Sequence, residues 1–226
     1  MGLVDTLKDK MNRLKEALTA EKPPLDLTQF NDPLAEEIDW KPAKSGGTNV
    51  CTHRLMIGFD NVATFKATLS IHLFTGIFIV MGAIAIVAPI VGMINSGKFK
   101  VDLLIPVAIG TVFCSVGIFM NRTFTAPVTF DLDSGYFWKG RKNPSTTFDI
   151  ESSIKEYALI RDIHALQIIS EYCSGGKNSS YYSYELNLVL KDGTRKNVVD
   201  HGSIEKLRED AEKLADFLNV PIWDIA

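Results

Sequence analysis

The sequence predicts an α+β membrane protein: a two-helix transmembrane hairpin followed by a barrel- or sandwich-like β domain closed by a C-terminal helix. Three observations carry this. Residues 67–97 contain no Asp, Glu, Lys or Arg, and neither do residues 103–121. Each run is about as long as the ~20 apolar residues that cross the hydrocarbon core as a helix. Further on, Tyr182, Tyr184, Leu186, Leu188 and Leu190 alternate as one face of a strand, and Ile204, Leu207, Ala211, Leu214, Ala215 and Leu218 follow at helical spacing.

Upstream of the apolar runs the composition changes twice. Over residues 1–20, Val4, Leu7, Met11, Leu14 and Leu18 form a narrow apolar stripe bordered by Lys8, Lys10, Arg13, Lys15 and Glu16. This spacing predicts an amphipathic helix suited to a membrane surface, a partner, or the rest of its own chain. Met1-Gly2-Leu3-Val4-Asp5-Thr6 also fits the loose pattern for myristoylation at Gly2. Pro23, Pro24, Pro33 and Pro42 make residues 21–48 a linker ending in "SGGTN". A short β-hairpin is expected within 49–66, turning at Asp60-Asn61 and adding to a sheet built mainly downstream.

The transmembrane hairpin occupies 67–121, with helices from about Leu69 to Ile94 and from about Leu103 to Met120. Gly82, Ala85, Ala88 and Gly92 form a small-residue face on the first helix; Gly110, Cys114 and Gly117 form one on the second. Such faces let helix backbones approach closely in lipid, within the hairpin or between copies of the chain. Pro89 and Pro106 are expected to kink the helices. Arg54 and Lys66 flank the hairpin on one side, and Arg122, Lys139, Arg141 and Lys142 on the other. The connecting loop offers only Lys98 and Lys100, offset by Asp102, so the charge balance places both termini in the cytoplasm.

From residue 122 the period becomes that of strands. "APVTFDLDSGYFWKG" reads as a hairpin turning at Asp133-Ser134-Gly135. "IHALQIISEY" and "SYELNLVL" are two longer strands joined by the polar loop 174–180, and "KDG" turns the chain into "TRKNVVD". Ser203 caps the last helix, and Asn219 with Pro221 ends it. About six strands and one helix thus make up 122–226.

These segments resemble the bacterial pleckstrin-homology-like (PH-like) membrane proteins, in which a transmembrane hairpin precedes a PH-like domain at the inner membrane's cytoplasmic face. The resemblance rests on "VTFDLDSGYFWKG", "DIHALQIISEY" and "YELNLVLKDGTRKNVVDHGSIEKLREDAEKLADFL". It implies a binding or assembly module fixed to a membrane. PH-like domains share no catalytic set.

The residues agree with a non-enzymatic reading. The four histidines, His53, His72, His164 and His201, form no helical pair of metal-binding spacing. Asp200 and His201 are neighbours on a strand end and point apart. His72 sits at the start of a membrane helix with no carboxylate in either span. Three scattered cysteines, one inside an apolar run, argue for reduced thiols. "SGG" and "SGGKNSS" lack the strand–helix setting of a phosphate loop, and no cofactor is expected. A net charge of −3 gives no footprint for nucleic acid.

Three functions follow. In the first, the domain recruits or assembles a protein partner, or further copies of the chain, with Tyr181, Tyr182 and Tyr184 serving either as core or as a contact patch. In the second, Lys139, Arg141 and Lys142, beside Trp138, hold an anionic lipid headgroup. In the third, the chain is a subunit of a transporter or membrane enzyme.

Overall fold

The computed structural model describes residues 25–97, 101–174 and 180–226. The expected N-terminal amphipathic helix, Gly2, Lys98 and Lys100 and most of the loop 174–180 lie outside these. Two compact units are distinguished, residues 1–37 and 38–226. The described part of the first holds a 3-10 turn, Thr28–Phe30, and a short helix, α1 (Pro33–Glu37). Asn31 closes the turn in the left-handed region at φ 49°, a conformation asparagine tolerates.

The second unit contains two sheets. The first, in spatial order, is β1 (His53–Ile57), β2 (Val62–Ala67), β3 (Val128–Asp131), β4 (Tyr136–Lys139) and β5 (Tyr157–Leu159), antiparallel throughout. The second comprises β6 (Ile163–Ser174), β7 (Ser180–Leu190), β8 (Arg195–His201) and β9 (Ile222–Asp224) in the order β8-β7-β6-β9. Of these, β9 runs parallel to β6. Between β2 and β3 the chain leaves the sheet as α2 (Leu69–Ser96) and returns as α3 (Leu104–Phe124). A short turn of helix, α4 (Ile150–Ser153), precedes β5, and α5 (Ile204–Leu218) closes the core.

The core lies between the sheets and α5. Phe65, Phe130 and Phe137 come from the first sheet, Leu166, Ile168, Leu186 and Leu188 from the second, and Leu207 and Leu214 from α5. Phe130 and Phe137 are tilted neighbours with ring centroids 4.9 Å apart. Each such side chain contributes about 1.5–3 kcal/mol by leaving water. Ser203 caps α5 as expected, its hydroxyl accepting from Lys206 N, and Asn219 ends it at φ 55°.

Among the described residues, 122–226 hold seven strands where about six are expected, and the 49–66 hairpin adds to the sheet as the sequence suggests. Strands β1 and β2 are full members of the first sheet, β2 pairing with β3 from Val62↔Asp131 to Phe65↔Val128. Strands β5 and β9 are three residues each, too short for alternation to reveal them. On α5, Asp210 is buried within the apolar stripe, where it accepts a hydrogen bond from Leu55 N at 3.1 Å. A helix carboxyl thus satisfies a donor on edge strand β1.

Both long helices are apolar and exposed: Ile77, Ile84 and Val87 on α2, and Ile105, Ile109 and Val112 on α3, face outward. Where the helices meet, the buried residues are Thr75, Gly82, Gly110 and Gly117. Thr75 Oγ1 lies 3.1 Å from Asn121 Oδ1 across the pair. A Cβ on Gly82 would stand 2.6 Å from Cys114 N and Gly110 O, and one on Gly110 would stand 3.0 Å from Ala85 Cβ. Gly82, Ala85, Gly110, Cys114 and Gly117 therefore pack the hairpin itself. Ala88 and Gly92 face outward, with nothing within 4 Å of a Cβ on Gly92. Pro89 lies inside α2, whereas Pro106 occupies the first turn of α3, where no helical donor is lost.

Candidate functional site

The site is built on a segment read from sequence as linker. Residues 39–48 lie along the second sheet, on the face away from the core, bound by side chains rather than by a strand ladder. Glu185, almost fully buried, accepts from Ala43 N at 2.8 Å and Lys44 N at 3.0 Å. Ser183 Oγ accepts from Thr48 N at 2.8 Å, and Glu171 accepts from Gly47 N at 3.2 Å. In the other direction Gln167 donates to Asp39 O and Arg195 to Lys41 O. This strap explains why Gln167, Ser183, Glu185 and Asn187 are buried at alternate positions where the sequence pattern implies a wet face.

Beyond the strap, residues 50–52 join the two sheets. Thr52 Oγ1 donates to Asp200 O, and Gly202 N donates to Val50 O. His201 is buried on the core side, with Nε2 2.8 Å from Cys51 Sγ. Its Nδ1 accepts from Ser203 N at 2.9 Å, so the neutral ring carries its proton on Nε2 and donates it to the sulfur. The side chain of Asp200 points the other way, toward the strap side, where Asn197 Nδ2 donates to it at 3.0 Å.

Below the strap, at the helix end of the sheets, lies a cavity of about 610 Å³, within the roughly 300–1,000 Å³ common for ligand sites. Its polar end is formed by Lys44, Thr48, Lys139, Asn197 and Asp200. These are linked, because Lys139 Nζ donates to Asn197 Oδ1 at 2.8 Å and Asn197 Nδ2 donates to Glu185 at 2.8 Å. Its apolar end is formed by Ile71 and Phe74 from the first turns of α2, Phe124 from the last turn of α3, and Val128. His53 stands in the wall and donates through Nε2 to Ala126 O at 3.2 Å. Burial lowers the Lys139 ammonium from its ordinary value, an effect partly offset by Glu156 at 3.1 Å. Burial raises the Asp200 carboxyl, with Asn197 acting against it.

The residues singled out from sequence are dispersed. Trp138 is buried in the first sheet, and Lys139 lines the cavity. Arg141 donates to Arg122 O at 2.6 Å and Thr125 Oγ1 at 2.7 Å, satisfying carbonyl and hydroxyl oxygens at the C-terminus of α3. Lys142 is exposed. Tyr181 donates to Gly47 O at 3.1 Å, and Tyr184 packs against the core. Tyr182 is exposed and meets Tyr172 edge-on at 5.4 Å. His53, Asn197 and the helix-end phenylalanines were not identified beforehand, since they lie far apart in sequence. No family model matches this sequence, and no curated protein matches it.

Two imidazoles make stability depend on pH. Burial lowers both His53 and His201 from the ordinary 6.5. Below about pH 6.5 the unfolded chain takes up protons that the folded protein refuses, so their contribution is full above that value and declines as pH falls. The raised carboxyls of Asp200 and Asp210 act oppositely, holding protons in the folded state above 3.8. The thermal midpoint of the detergent-solubilised protein is therefore expected to fall between pH 7.5 and pH 5.5. A fall that persists unchanged when His53 and His201 are both replaced by Gln would contradict its assignment to the buried imidazoles.

Proposed function

We propose that this chain is a non-enzymatic binding protein of a bacterial inner membrane, holding a PH-like domain at the cytoplasmic face to recruit a protein partner. The observation that carries this reading is the continuity of helices and sheet. One residue separates β2 from α2, and three separate α3 from β3, while β2 and β3 are hydrogen-bonded neighbours. The two long helices, without charged side chains over residues 69–96 and 104–121 and apolar on their outward faces, span the bilayer, and the sheet is mounted on them. Arg54, Lys66, Arg122, Arg141 and Lys142 all lie toward the sheet side of the helices, the pattern of a cytoplasmic face. Mounted in this way, the domain searches for its partner in two dimensions at raised effective concentration.

The end of the first sheet remote from the helices presents the partner surface. Met56, Ile57 and Phe59 at the β1–β2 turn are exposed, Phe59 fully, and Leu132 stands at the neighbouring turn, where its N–H donates to Asn61 O. An aromatic anchor of this kind commonly contributes about 2 kcal/mol or more to an interface, roughly thirtyfold in affinity. Purification of the tagged full-length chain from native membranes should recover a stoichiometric protein, and Ile57→Asp with Phe59→Asp should lose it without loss from the membrane. Recovery of only the chain and lipid would overturn the partner reading. The lipid reading is favoured separately by the cavity at the helix ends.

A further inference from the structure

We propose that this cavity receives one anionic phospholipid from the adjoining leaflet, headgroup first, with its phosphate beside Lys139 and Lys44 and an acyl chain leaving between the ends of α2 and α3. The proposal rests on the membrane reading above and goes beyond it by assigning a ligand class, a site and an orientation.

Three features support it. First, the cavity is polarised in the sense that an amphiphile requires. Lys44 and Thr48 of the strap with Lys139, Asn197 and Asp200 supply the polar end, and Ile71, Phe74 and Phe124 at the helix termini supply the apolar one beside Ser70 and Thr123. A headgroup held in the domain therefore keeps its chain pointing back toward the bilayer. Phe74 and Phe124 are each about half exposed, at 49% and 46%, which opens the apolar end on the side of the helices' outward faces. Second, the polar end carries two lysines and Asp200, whose Oδ1 is already engaged by Asn197; Lys139 is paired with Glu156 at 3.1 Å, and Lys44 is exposed. The Lys139 ammonium is held between Glu156 and Asn197 Oδ1, which leaves its third N–H for a phosphate oxygen. Third, a small soluble anion would use only the polar end. The walls at Val128, Val198 and Val199 match hydrocarbon, where each buried methylene adds to affinity.

The test uses full-length protein reconstituted in phosphatidylcholine vesicles with trace phosphatidylglycerol carrying a photoreactive acyl chain. Adducts are expected on residues 70–74 and 123–128. Lys44→Gln, a change at an exposed side chain, should lower that labelling about fivefold. Ala126→Trp should suppress it by filling the cavity, and the same photoreactive chain on phosphatidylcholine should label the site weakly. Adducts confined to bilayer-facing positions such as Ile84 and Ile109, unchanged by Lys44→Gln, would overturn the proposal. So would displacement of the probe by inorganic phosphate. Alkaline carbonate extraction of the same preparation separates the two levels. A chain released by carbonate defeats the membrane reading, whereas a retained chain without adducts at the site defeats only this one.

Discussion

Replacing Gly82 by alanine will force the two long helices apart, and leucine at that position will prevent them from packing. The added Cβ would stand 2.6 Å from Cys114 N, 2.6 Å from Gly110 O and 2.7 Å from Cys114 Sγ. Two of these three atoms are backbone and have no rotamer by which to retreat, so relief requires movement of a whole helix. Between apolar helices in lipid there is little hydrophobic drive to restore contact, and close backbone approach supplies much of the attraction. The expected cost is about 1–3 kcal/mol for alanine, the usual range for overpacking, and more for leucine. Because α2 and α3 continue into neighbouring strands, the damage should spread to the β2–β3 pairing. Thermal unfolding in detergent checks this, with Gly92→Ala as the comparison, since that position meets nothing within 4 Å. Equal midpoints for the Gly82 and Gly92 variants would refute the packing described.

Replacing Glu185 by leucine will detach the strap. Its carboxyl oxygens accept from Ala43 N, Lys44 N and Asn197 Nδ2, all within 3.0 Å. Leucine fills similar space but leaves three donors facing hydrocarbon, and an unsatisfied buried donor costs about 1–3 kcal/mol. Because the strap can swing out and let water reach these groups, the net loss should be about 2–4 kcal/mol rather than the sum. The same release moves Lys44 away from the cavity. Limited proteolysis reports it directly: tryptic cleavage after Lys44 should accelerate in Glu185→Leu and less in Glu185→Gln, which keeps one acceptor oxygen. A leucine variant that resists trypsin as well as the parent would show that the strap is held by something else.

What the sequence revealed depended on whether a side-chain pattern reports the interaction. The long helices were legible because absence of charge over a whole span has few explanations, and the last helix because Ser203, its apolar stripe and Asn219 agree. The strap was not legible. Residues 39–48 are held largely through their backbone N–H and C=O groups, and backbone groups leave no mark on composition, so proline and glycine read as linker. The face beneath it was misleading for the same reason: Glu185 and Asn187 alternate with Leu186 and Leu188 as they would on a wet sheet. Lys139, Arg141 and Lys142 looked like one basic cluster, yet the strand ends at Lys139 and the chain turns at Gly140, sending one cation into the cavity and another to a helix terminus. Asp210 was hidden because a carboxyl that serves another strand's N–H is recognised only when that strand is in place.

The insertion of the hairpin between β2 and β3 has a consequence for synthesis. Roughly sixty residues separate these adjacent strands. At about 5–20 residues per second, β2 leaves the ribosome seconds before β3 exists. During that interval Phe65 and the open hydrogen-bonding edge of β2 have no sheet to join. With the helices spanning a bilayer as proposed above, they find one only if the nascent chain turns back and delivers β3 to the compartment where β2 waits. Sheet closure is thus a proofreading step for topology: a chain whose second helix fails to return cannot complete its folded domain, and exposes an unpaired strand to quality control.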